Sequence, residues 1–275
     1  MPSDSSSPPL DAAAEAEAKW LAQALLGRAD CDIFRELVGL RNHVLAMGVT
    51  PRFRSPPPDL AVQRSNAMYE VLQSMDQGPN SGHPPGFARR TAWFLVIGSD
   101  SDGFARYILD HSRARGVGII PPVGEGGTGW AIPPSDRFEL HELDLFNLVA
   151  LYLQSDPASR VLPFQRTSFD FIIVDLDLSN TRVLIAQLLL ALHTVYNGGQ
   201  ILLTLSSIER PYAARTLIAF SRVADLVTTS RPQAQAWGHR FYLHVQTVRH
   251  DRPYRMLKHN LHHLWAFGID SDQTD

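Results

Sequence analysis

The sequence predicts an α/β domain in which a mostly parallel seven-stranded sheet is covered by helices on both faces and preceded by a helical extension. Three segments carry this reading. Thr91 to Leu109 (TAWFLVIGSDSDGFARYIL) is a buried strand, a turn and a helix start; Phe169 to Ser179 (FDFIIVDLDLS) is a buried strand ending in carboxylates; Asn197 to Ser206 (NGGQILLTLS) is a Gly-Gly turn feeding another apolar strand. From residue 91 onward, apolar runs of strand length alternate with helical patterns, as parallel β-α-β units require.

Taken in order, residues 1–10 (MPSDSSSPPL) combine Ser and Pro with too few apolar groups to offset ordering entropy, so disorder is expected. Residues 11–86 form the helical extension and its linkers. Helices are expected from Asp11 to Leu26, Cys31 to Met47 and Ala61 to Asp76, and the second and third are separated by TPRFRSPPPDL, whose three successive prolines favour extended backbone. The main domain spans 87–249, and residues 250–275 form a C-terminal helix and tail. Its strands are expected at 92–97, 116–120, 138–143, 169–175, 200–205, 225–229 and 240–247, with helices at 104–113, 181–196 and 211–224. The loop from Pro121 to Pro134 is too long for a minimal connection and could fold over a ligand.

Composition narrows the function classes. A chain of 275 residues with 44% hydrophobic content can bury a substantial core. Its longest nearly apolar stretch, Val183 to Val195, contains Gln187 and His193 and is too short to cross a bilayer. With no secretory signal and a single cysteine, Cys31, neither a membrane nor a disulfide-linked partner is expected, and the setting is intracellular, cytoplasmic or nuclear. A net charge of -3 argues against a strongly basic RNA-coating surface while leaving room for a local basic patch. Only Lys19 and Lys258 are lysines, so the central domain has no lysine amine to offer.

Several residues are candidates for chemistry. In the turn Gly98-Ser99-Asp100-Ser101-Asp102-Gly103, a helix N-terminus favours a negatively charged ligand group, which makes Gly98, Asp100, Gly103 and Phe104 candidate cofactor contacts; alternatively, Asp100 or Asp102 caps the helix. Asp144, after the third strand, either touches a ligand or caps the next helix. Asp175 ends a buried strand at the carboxyl edge of the sheet, where doubly wound folds bind ligands, and Asp177 lies two residues on. His259, His262 and His263 have helical spacing, yet without an acidic second shell they suggest a surface helix and no metal is expected. Arg89, Arg90, Arg106, Arg113 and Arg115 flank the first β-α-β unit and could meet phosphates or simply face solvent.

These segments together resemble the FtsJ-like RNA 2′-O-methyltransferases, especially their fungal branch. The likeness rests on FDFIIVD, then Gln187 to Leu192 (QLLLAL), Gly198-Gly199 and Ser230-Arg231-Pro232, with GVGIIPPVGEGGTGW matching the fungal pattern after the second strand. It implies a Rossmann-like class I S-adenosylmethionine (SAM) methyltransferase fold with strand order 3-2-1-4-5-7-6, only residues 240–247 running antiparallel. It also implies SAM as cofactor, RNA as partner and methyl transfer to a ribose hydroxyl.

The family uses a Lys-Asp-Lys-Glu tetrad, and the resemblance makes Asp175 its aspartate and the expected catalytic residue. The other three positions fall near Glu70, Thr204 and His239. Val96 stands at an acidic position, Ser101-Asp102-Gly103 replaces Pro-Gly-Gly, and Ile119-Ile120-Pro121 follows the second strand with Glu125 as the nearest acid. Weak SAM binding and weak or absent methylation are therefore expected. The alternatives are a noncatalytic module that binds RNA, a nucleotide or a protein, and a methyltransferase acting on a less demanding nucleophile.

Overall fold

A computed structural model describes residues 60–77, 86–98, 101–122, 130, 135–154, 162–164, 166–176, 181–206, 211–230 and 240–270, with short pieces between residues 19 and 43. Residues 1–10, Asp100, Glu125, Asp177 and His239 lie outside the described residues, as does most of the loop from 121 to 134. The described elements are α1 (Leu60–Gln77), β1 (Trp93–Ile97), α2 (Asp102–His111), β2 (Arg115–Ile120), β3 (Phe138–Glu142), α3 (Leu145–Gln154), β4 (Phe169–Asp175), α4 (Thr181–Thr194), β5 (Val195–Ser206), α5 (Pro211–Ser221), β6 (Ala224–Ser230), β7 (Arg240–Val248) and α6 (Arg252–Asp270).

The seven strands form one sheet in the order β3-β2-β1-β4-β5-β7-β6. The β1, β2, β3, β4 and β5 pairings are parallel, while β7 is antiparallel to both neighbours. This is the Rossmann-like methyltransferase arrangement the sequence predicts.

Because side chains alternate along a strand, β1, β4, β5 and β7 each supply both cores. Leu95, Ile97, Val117, Ile172, Val174 and Leu203 pack in the cluster that includes residues of α3, α4, α5 and α6. Phe94, Val96, Phe171, Ile173, Leu202 and Tyr242 pack instead in the cluster that includes residues of α1 and α2. Burial of each large apolar side chain contributes about 1.5–3 kcal/mol, so the two cores together fix the strand faces.

The helix α1 docks through a stripe that includes Ser65, Met68, Leu72, Met75 and Asp76, spaced by three and four residues. Its buried Asp76 carboxylate accepts hydrogen bonds from the Ala88 amide at 2.9 Å and the Tyr107 hydroxyl at 2.9 Å, and pairs with Arg89 at 3.2 Å. One buried charge thus ties α1 to the turn before β1 and to α2. Burial pushes the Tyr107 phenol up from its ordinary pKa, with the Arg89 hydrogen bond opposing it.

Two elements differ from the sequence reading. Helix α3 lies between β3 and β4 where no helix is expected, because a ten-residue run as apolar as LFNLVALYLQ reads as a buried strand as readily as a helix. Strand β5 starts at Val195 rather than at 200, taking in the Gly-Gly turn and shortening α4 to Thr194; Val195 already pairs with Phe169 across an irregularity in the register.

Candidate functional site at the carboxyl edge

Lateral register assembles the site. Ile97 pairs with Val174, so Gly98 follows directly against Asp175; Asp175 pairs with Thr204, and Thr204 with Tyr242. Residues in lateral register share a face, and these continue the face of Val96, Ile173 and Leu202, on which α1 and α2 sit. A row Gly98–Asp175–Thr204–Tyr242 therefore crosses the carboxyl edge beneath those two helices.

Each position has an identifiable support. Gly98 has φ +120, and a Cβ built there would fall 2.9 Å from the Asp175 carbonyl oxygen, so both conformation and space require glycine. The Asp175 carbonyl accepts a hydrogen bond from Gln187 Nε2 at 2.7 Å, which anchors the strand end to α4. Thr204 is buried. The Tyr242 hydroxyl donates to Met68 Sδ at 3.4 Å, and the Tyr242 ring meets Phe104 edge-on with centroids 5.7 Å apart. Met68 thus roofs the end of the row.

The turn between β1 and α2 is organised by packing. Ser101 is the N-cap of α2 but makes no side-chain capping bond, whereas Asp102, the first helical residue, accepts the Gly103 amide at 2.8 Å. The acid does meet the helix N-terminus, though from inside the helix rather than from the cap. A Cβ at Gly103 would come 2.0 Å from the Ser65 carbonyl oxygen, so Gly103 is where α1 and α2 approach most closely. Phe104 is buried in the core. The hydroxyls of Ser65 and Ser101, both buried, have no hydrogen-bond partner among the described residues.

Asp144 is the N-cap of α3. Its carboxylate accepts the Phe146 amide at 2.8 Å and Asn147 Nδ2 at 2.6 Å. After β2, the buried Ile119 and Ile120 are followed by Pro121, and no described carboxylate occupies that strand end. At the end of the long loop, Trp130 stacks on Phe138 with centroids 5.3 Å apart and planes 9° apart, on the α1 and α2 side of β3.

The described residues therefore fit SAM unevenly. Gly98 is required by its contact with Asp175, and the α2 N-terminus presents an aspartate where a ligand carboxylate would seek an amide. Glu70, at the position implied for a lysine, is exposed and lies outside the buried stripe of α1. Tyr242 and Met68 had no signal of their own in the sequence, since only the β5–β7 register and the docking of α1 bring them beside Thr204. Among the described residues no group of three or more His, Cys, Asp and Glu is arranged to hold a metal ion.

Neither the family models nor the curated proteins contain a match. Solved structures overlap part of the chain. Human methyltransferase-like protein 13 in complex with SAH is 16% identical, with 73% of this chain and 88% of that chain covered at a TM-score of 0.43. A putative ribosomal RNA methyltransferase from Plasmodium falciparum is 15% identical, with 67% and 98% covered at 0.44. N-methyltransferase NodS from Bradyrhizobium japonicum with S-adenosyl-l-homocysteine is 13% identical, with 84% and 98% covered at 0.41. These overlaps are partial, and the fold assignment rests on the strand order of this chain, a mostly parallel seven-stranded sheet in the Rossmann-like methyltransferase order with Gly98 beside Asp175 at its carboxyl edge.

Proposed function

We propose that this chain is a diverged SAM-dependent methyltransferase of the FtsJ-like kind, with weak cofactor affinity and little or no RNA ribose 2′-O-methylation. One observation carries the reading: the row beneath α1 and α2 supplies the Asp175 carboxylate, the Thr204 hydroxyl and the Tyr242 phenol, with Met68 above the phenol. SAM, when bound, would supply an electrophilic methyl group. A ribose hydroxyl is a poor nucleophile and must be oriented and relieved of its proton as it attacks.

Of the row, only Asp175 offers a charge for that task. Thr204 and Tyr242 can orient a hydroxyl by hydrogen bonding, but neither stabilises a developing alkoxide as a lysine ammonium would. Arginine elsewhere on the domain does not substitute, because its pKa stays too high for proton exchange. Losing one positioned acid-base group typically costs about 10²- to 10⁴-fold, so several replacements leave little activity even when their effects do not add.

Methyl transfer from labelled SAM to a panel of RNAs tests the reading. Counts near background, unchanged in Asp175→Ala, are the expected result. Robust ribose methylation that disappears in Asp175→Ala would overturn it.

A further inference from the structure

We propose that the amino edge of the sheet, opposite Asp175, is a docking surface for single-stranded nucleic acid. This inference stands apart from the reading above, because it needs neither cofactor nor catalysis.

Three of the arginines singled out in the sequence, Arg90, Arg113 and Arg115, gather with Arg166 where the parallel strands begin. Arg90 and Arg113 are exposed in the segments that lead into β1 and β2, Arg115 opens β2, and Arg166 precedes β4. None of the four has a carboxylate partner among the described residues, whereas Arg249 bridges Asp225 at 2.6 Å and Asp251 at 3.3 Å and Arg89 pairs with Asp76 at 3.2 Å. Asp170, at the same edge, accepts the backbone amides of Ala92 at 3.2 Å and Trp93 at 2.9 Å through one oxygen and holds β1 to β4, a single negative charge among the arginines. The exposed Asp110 and Asp136 oppose the patch only in part.

Trp93 organises the group. Arg115, its register partner, lies 5.9 Å from the indole centroid, and Arg166 lies 4.7 Å from it while donating to the Ser168 carbonyl at 2.7 Å. Two guanidiniums are thus braced on one ring instead of waving from the surface, which lowers the ordering cost of binding. Such planes bind phosphate in a bidentate way and also stack on bases. On β5, beyond β4, Tyr196 is 58% exposed and offers an aromatic face at the same edge. Arginine with interleaved aromatics suits an unpaired strand, whose bases are available for stacking.

The carboxyl edge has the opposite character. Asp102, Glu142, Asp144 and Asp175 stand at its strand and helix ends, and a polyphosphate approaching there meets like charge.

The test uses the full chain and fluorescence anisotropy with a labelled oligouridine of about 16 nucleotides. Affinity should fall steeply between about 50 and 200 mM salt, and Arg90→Gln/Arg113→Gln should make the log–log salt slope shallower by about 1.4, at about 0.7 per contact for single strands. Tyr196→Ala should weaken binding about 5- to 100-fold, the size of a lost stacking contact. Trp93→Leu should weaken binding and Trp93→Phe should restore it, which separates bracing from misfolding. Arg215→Gln, on α5 away from this edge, should bind like the natural chain. Binding that ignores the arginine changes, or that is lost in Asp175→Asn while surviving them, would overturn the proposal. So would capture of phosphatidylserine vesicles in preference to the oligonucleotide.

Discussion

A Cβ added to Gly98 would lie 2.9 Å from the Asp175 Cβ and 2.9 Å from its carbonyl oxygen, so the end of β1 rests directly on the end of β4. The contact exists because β1 and β4 are adjacent and parallel, with Ile97 opposite Val174 one residue earlier. Gln187 holds the same carbonyl from the other direction. Asp175 is therefore fixed by backbone as well as by its place in the strand.

Gly98→Ala should be destabilising. At φ +120 the new side chain adds about 1–3 kcal/mol of backbone strain, and its approach to the rigid Asp175 backbone adds to that. Chemical denaturation should show a lower midpoint with an unchanged slope. An unchanged midpoint would mean that β1 and β4 are less closely apposed than the register states.

Asp76→Ala should cost about 1–3 kcal/mol for each buried donor it strands, the Ala88 amide and the Tyr107 hydroxyl, while the exposed Arg89 turns to water. Tyr107→Phe removes only one of those partners and should cost about 1 kcal/mol. The ordering of the two variants in thermal melts checks the network; equal losses would argue that Asp76 holds α1 through one contact alone.

Alkaline stability should depend on Tyr254. Its hydroxyl donates to the Leu192 carbonyl, tying α6 to α4, and burial, followed by the neighbouring Tyr152, pushes its pKa well above the ordinary value. The folded pKa lies above the unfolded value of about 10, so the associated stability is complete below pH 10 and is lost as pH rises through the folded pKa. One such group gives at most about 1.4 kcal/mol per pH unit. Tyr254→Phe should be slightly less stable at neutral pH and should show a flatter decline above pH 10. Parallel declines in the two proteins would assign the alkaline transition elsewhere.

Much of the fold can be read from the chain because parallel strands buried on both faces leave long apolar runs, as at Phe169–Asp175, whose bounds agree between sequence and structure. Helix α3 is harder to read because a short, mostly apolar run does not by itself separate a buried helix from a buried strand. The site is legible only in part. Asp175 and Thr204 each follow an apolar run, but their adjacency, and the presence of Tyr242 and Met68 beside them, depends on register across strands far apart in sequence. Asp144 shows the limit of reading by residue type, since ligand contact and helix capping ask for the same carboxylate at the same junction, and the structure displays the capping bonds.

Asp102 sits at the first position of α2 with its carboxylate on the Gly103 amide, inside the first turn where the helix dipole would otherwise attract an anion. A ligand carboxylate arriving there loses that amide and meets a like charge in a nearly buried setting, where repulsion is weakly screened. Asp102→Gly removes both obstacles at a cost of about 0.3–1 kcal/mol for the lost dipole interaction. Calorimetric titration with SAM and with S-adenosylhomocysteine should then show weak binding to the natural chain and a gain of about tenfold or more in the variant, the scale of one relieved like-charge contact. Because the helix attracts only the carboxylate end, adenosine without the methionyl group should bind the two proteins alike. Tight binding by the natural chain, left unchanged in Asp102→Gly, would show that the aspartate does not oppose the ligand and would remove the physical basis for a weakened cofactor site.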